Sequence, residues 1–198
     1  STEDILKFGG LIEAVKGSYL TAKITDLVKR RATWLIILYI LESITVTVIS
    51  RFEAMIASVV ALSFFIPLLT DTGGNTGSQA ATLVIRSLAT GEARPGDFTR
   101  IIIKELISSS LLAVIVAPIG FTISYAISLN FSVAVTVSIA LASIVVIASL
   151  MGVILPFIAL LIKSDPAVVS APLITTVADI TGITLYFTIA SYLIGIIK

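Results

Sequence analysis

The sequence predicts an all-α, polytopic membrane protein with five transmembrane helices in each subunit, and two observations predict it. Of its 198 residues, 57% are hydrophobic and only 13% charged, with a mean hydropathy of +1.12. Soluble domains are far less apolar, and these few charged side chains would not cover a domain's surface in water. Five stretches also hold the roughly 20 mainly apolar residues that a bilayer crossing takes. They are residues 33–50, 54–90, 100–128, 131–162 and 167–197.

Residues 1–30 precede the spans and differ in kind. Ile5, Leu6, Phe8, Leu11, Ile12 and Val15 alternate with Glu3, Asp4, Lys7, Glu13 and Lys16, and Gly9, Gly10 and Gly17 interrupt any long helix. This pattern reads as a cytoplasmic, amphipathic connector lying at the membrane interface, so the spanning domain is expected over 31–198. Span one carries a single acid, Glu42, read as structural. Span two is the odd one: an apolar first half gives way to a polar, glycine-rich stretch at 70–79 before helical patterning resumes at Ala80. A helix break, with free carbonyls around Gly73 and Gly74, is expected there. Spans two to five each hold one proline (Pro67, Pro118, Pro156, Pro172), which a bundle accommodates. A short uncharged turn is expected between spans three and four at 128–132, and Asp165-Pro166 reads as a helix cap leading into span five.

Orientation follows from where the cations fall. Lys29, Arg30, Arg31, Arg86, Arg94, Arg100, Lys104 and Lys163 lie on the side of the N-terminus, against Arg51 and Lys198 opposite. The expected topology is a multi-pass protein of the cell membrane with its N-terminus in the cytoplasm and its C-terminus outside.

Composition also bounds the chemistry. A net charge of +1 gives no reason to expect nucleic acid as a partner, and the chain has neither cysteine nor histidine. Without thiolate or imidazole, only oxygen donors remain, which suit hard cations such as magnesium, calcium or manganese. An ionisable group in lipid costs roughly 2.5–3.5 kcal/mol on the insertion scale, so each demands a partner or a wet cavity. Asp179 is the most informative, because the rest of residues 174–189 is free of charge. Helical spacing aligns it with Ala171, Thr175 and Gly182. The same arithmetic sets Asp71, Gly74, Ser78 and Thr82 on one face of span two, beside Asn75 and Gln79. Two such faces can line one path. Magnesium gives up its water shell reluctantly, so a sparse site of one or two carboxylates is enough to hold it hydrated. Close helix packing is the plainer reading of the small residues in these stripes.

The residues that carry this pattern also carry a resemblance. The stretch PLLTDTGGNTGSQAATLVIRSLATG at 67–91 closely resembles the signature of MgtE-type magnesium channels. KEL at 104–106, LPF at 155–157, DPA at 165–167 and TTVADITG at 175–182 follow in the same order, as does TEDI at 2–5. The resemblance implies a homodimer with its pore on the two-fold axis, lined by spans two and five. It makes Asp179 the residue that holds a hydrated magnesium ion, with Gly74, Ser78, Thr82 and Ala171 lining the pore. It also implies a plug helix before Arg31, and cytoplasmic N-terminal and CBS regulatory domains in a full-length protein. Asp71, Ser78 and Ala171 depart from residues that some members carry. No catalytic residue and no resident cofactor are expected. Magnesium is the cargo, with manganese or another divalent cation as alternatives.

Three further functions compete with a channel. A coupled exchanger would use the same residues. An intramembrane aspartyl protease would pair Asp71 with Asp179, but neither sits in a Gly-x-Gly-Asp setting. A structural anchor leaves the buried acid unexplained.

Overall fold

A computed structural model describes residues 22–197, apart from the side chains of residues 30 and 195–197. Of the amphipathic, plug-like connector expected over 1–30, residues 1–21 lie outside the described residues. Among the described residues the chain is helical and contains no strand. Its α-helices are α1 (Ile24–Arg51), α2 (Glu53–Ser58), α3 (Ile66–Ala89), α4 (Phe98–Ser128), α5 (Phe131–Leu161) and α6 (Ala171–Ile197). Four described segments are long and apolar enough to cross a membrane: α1, α4 with its leading turn, α5 and α6. The remaining long helix, α3, contains the polar stretch at 70–79.

Helix α1 begins earlier than expected, so residues 24–30 of the predicted connector are its first two turns. The second predicted span holds a further difference. Glycine was expected to break it at Gly73 and Gly74, yet α3 runs unbroken through both. The interruptions come earlier, at Val59 (φ −138°, ψ 77°) and in a 3-10 segment over Val60–Phe65. Pro67 sits in the first turn of α3, where it costs no helical hydrogen bond. Glycine disfavours a helix by roughly 1 kcal/mol, but freed backbone groups in lipid cost several. Gly73, Gly74 and Gly77 are also buried, and their missing side chains let α3 lie directly on α5 and α6. The carbonyls near Gly73 are therefore not the loose oxygen donors the sequence suggested.

Helix α5 is the centre of the bundle. Val133, Val137, Ala140, Leu141 and Ile144 pack with Leu62, Phe65 and Leu69 on one side and Ile183, Tyr186, Phe187 and Ala190 on the other. Helices α4 and α5 form a hairpin whose turn places Leu129 in the left-handed region (φ 50°) and uses Asn130 Oδ1 to accept the Val133 N–H at 3.2 Å. Across the hairpin the Ser138 hydroxyl donates to the Ala117 carbonyl at 2.7 Å. Large apolar side chains point outward from α1 (Leu35, Ile36, Tyr39, Ile40) and α4 (Leu111, Val114, Ile115, Ile119). Lipid suits such faces.

Asp165 does cap, but its target is the 3-10 turn Pro166–Val168, where Oδ1 accepts the Ala167 N–H at 2.9 Å. Helix α6 starts at Ala171 rather than 167, and the buried Ser170 Oγ receives the Leu173 N–H at 3.4 Å.

Candidate functional site

The two predicted stripes meet because α3 and α6 pack antiparallel. A Cβ on Gly73 would touch Ala178, one on Gly74 would touch Thr175 and one on Gly77 would touch Ile174. Further along, the Tyr186 hydroxyl donates to the Leu62 carbonyl at 2.9 Å. Residue numbers fall along α3 as they rise along α6, and this register sets Asp71 level with Asp179.

Asp179 is half-buried on α6, and its Oδ1 is fully buried with no hydrogen-bond partner among the described residues. A buried acceptor left open is costly, and among the described residues no ion pair compensates it. Asp71 is exposed on α3, where its Oδ2 accepts from the Asn75 amide at 3.0 Å.

The other predicted residues divide into two groups. Gly74 is buried against Thr175, so its small size serves the helix contact. Ser78, Ala171 and Thr175 are half-buried, and Thr82 is exposed. Thr82 donates to the Ser78 carbonyl at 2.7 Å and Thr175 to the Ala171 carbonyl at 3.0 Å. Both hydroxyls thus give their proton to the helix and keep oxygen lone pairs for a donor such as a water of hydration.

One face of α3 has an unusual character for a protein solvated by lipid. Asp71, Asn75, Gln79, Thr82 and Arg86 are all exposed, while the opposite face holds Leu69, Gly73, Gly77, Ala80 and Val84 in the interior. A polar face on the outside of such a bundle requires water or another polar surface. Among the described residues no three carboxylates approach closely enough to chelate a bare ion. The arrangement instead offers dispersed negative charge and hydroxyl oxygens. Two grooves among the described residues, of about 450 and 420 Å³, are lined by neither Asp71 nor Asp179. One opens between α3 and α4, the other beside Pro166.

Glu42 was expected to be structural. It is half-buried, on the same side of α1 as the buried Leu38 and Thr45. Spacing of Trp34, Leu38, Glu42, Thr45 and Ile49 at three and four residues was the available signal.

Comparison with known proteins adds the relatives. The profile of the MgtE family, described as a divalent cation transporter, matches residues 66–189. The magnesium transporter MgtE of Thermus thermophilus is 36% identical over 98% of this chain and 43% of its own length. Those of Bacillus subtilis and Enterococcus faecalis are 35% and 32% identical, each over 82% of this chain and 36% of their length. The chain thus spans less than half the length of these curated relatives.

Proposed function

The chain belongs to the MgtE family of divalent cation transporters, and from that premise we propose that it is the conducting domain of a magnesium-selective channel. Two copies form the conductor, with α3 and α6 of each lining a path on the two-fold axis. Helix α3 is then a fifth span that faces water instead of lipid. The N-terminus lies in the cytoplasm and the C-terminus outside, following the positive charge near Arg31, Arg94 and Lys163.

The observation that carries this reading is the pairing of an unpartnered intramembrane carboxylate, Asp179, with the exposed polar face of α3 beside it. A divalent cation relieves both. It supplies the missing counter-charge, and its retained waters donate to the carboxylate and the hydroxyl oxygens. Two copies of Asp179 across the axis repel one another when the path is empty, which favours a doubly charged occupant. Passage of the ion with its waters requires no tight cage, in keeping with the lack of converging carboxylates among the described residues.

The test is magnesium influx into vesicles containing the purified chain, followed with a trapped fluorescent indicator. Wild type is expected to load, and Asp179→Ala and Asp179→Asn are expected to lose most of that flux or its preference for divalent ions. Wild-type flux and selectivity in both variants would reject the assignment. Current–voltage recording then separates the channel from the exchanger, since channel current reverses at the magnesium equilibrium potential.

A further inference from the structure

We infer that Glu42, on α1 and outside the proposed pore-lining pair, is a specificity-determining residue that strengthens the path's preference for divalent over monovalent cations at the level of Asp179. The inference rests on the transport reading above and adds a third helix to it.

Geometry sets the level. Helices α1 and α6 run parallel and are pinned at two heights: Trp34 Nε1 donates to Ser170 Oγ at 3.2 Å, and the Phe52 and Phe187 rings stack with centroids 5.0 Å apart. Glu42 lies eight residues above Trp34, and Asp179 nine above Ser170. At 1.5 Å per residue these are rises of about 12 and 13.5 Å. Measured down from the aromatic pair, the two acids again agree to within about 3 Å. The antiparallel register of α3 brings Asp71 to the same height, so three helices each present one carboxylate to one layer of the bundle.

No hydrogen bond or ion pair holds Glu42 among the described residues. One turn further along the same side of α1, Thr45 is 95% buried by its 5% exposure, and its hydroxyl has no partner. Asp179 Oδ1, on the facing helix, is likewise open. A half-buried acid, a buried hydroxyl without a partner among the described residues and a second acid with one buried open oxygen, at neighbouring levels of the packed helices α1 and α6, point to a cationic occupant with its waters. The excess negative charge raises the attraction for a divalent ion twice as much as for a monovalent one, since Coulomb energy scales with the ion's charge.

The experiment is uptake by vesicles containing the purified chain at graded magnesium, with and without competing sodium, for wild type, Glu42→Gln, Glu42→Asp and the exposed control Glu53→Gln. Glu42→Gln is expected to need several-fold more magnesium for half-maximal uptake and to show stronger sodium competition. Glu42→Asp should recover part of both, and Glu53→Gln should match wild type. Unchanged magnesium dependence and sodium competition in Glu42→Gln would overturn the inference while leaving transport intact. A wild type that moves no magnesium would sink the transport reading instead. Magnesium-induced thermal stabilisation in detergent then reads Glu42 directly: a several-fold higher half-maximal concentration in Glu42→Gln supports its role, and an unchanged one rejects it.

Discussion

Gly74 of α3 lies so close to Thr175 of α6 that a Cβ added at residue 74 would stand 2.8 Å from the threonine methyl. Thr175 has little room to yield, because it is β-branched and its hydroxyl donates to the Ala171 carbonyl at 3.0 Å. Overpacking of this kind costs about 1–3 kcal/mol. Gly74→Ala should lower the thermal midpoint in detergent, and adding Thr175→Ala should recover most of the loss by removing the opposing methyl. An unchanged midpoint in the single variant would contradict the close approach.

A harder collision is expected at Gly152 on α5. A Cβ there would overlap the Gly77 carbonyl oxygen of α3, a backbone atom with no rotamer to change. Gly96 has nothing within 4 Å of its added Cβ. Gly152→Ala should therefore sharply reduce the yield of folded protein by size exclusion, while Gly96→Ala should elute as wild type does. Equal yields would show that α3 and α5 are free to separate.

These glycines mark where the sequence was legible and where it was not. Hydropathy located α1, α4, α5 and α6 because lipid imposes long apolar runs, and the uncharged turn near Asn130 followed from the gap between two of them. Helical spacing grouped Asp71 with Gly74 on one face, yet Gly74 is buried against Thr175 while Asp71 is exposed beside Asn75. The glycine-rich stretch misled, since a break and a close helix contact both call for glycine and only tertiary packing tells them apart. Glu42 shows a second limit. Its spacing with Leu38 and Thr45 was visible, but the height it shares with Asp179 depends on two distant pins, Trp34–Ser170 and Phe52–Phe187.

The lower of those pins yields an asymmetric prediction. Ser170 Oγ accepts from Trp34 Nε1 at 3.2 Å and from the Leu173 N–H at 3.4 Å. Trp34→Phe removes one donor and leaves the serine its other partner, a loss of about 0.5–1.5 kcal/mol plus lost packing. Ser170→Ala strands two donors in a buried place, at about 1–3 kcal/mol each. Chemical denaturation in detergent should rank Ser170→Ala below Trp34→Phe in stability. The reverse order would mean that the indole contributes mainly through its packing.

Asp71 should matter less than Asp179, and in a way that salt reveals. It is exposed and already receives the Asn75 amide at 3.0 Å, whereas Asp179 Oδ1 has no protein partner among the described residues. In the proposed path Asp71 acts on the ion across water, at the same height but from a solvated face. Asp71→Asn should therefore raise the magnesium concentration for half-maximal vesicle uptake by less than Asp179→Asn does. Screening shortens electrostatic reach to about 8 Å at physiological ionic strength. The Asp71→Asn effect should accordingly shrink as an impermeant salt is added, while the Asp179→Asn effect should persist, because a partly buried carboxylate is screened much less. Equal salt sensitivity in the two variants would place both carboxylates in the same environment and remove the distinction between a long-range attractor and a residue that touches the ion's water shell.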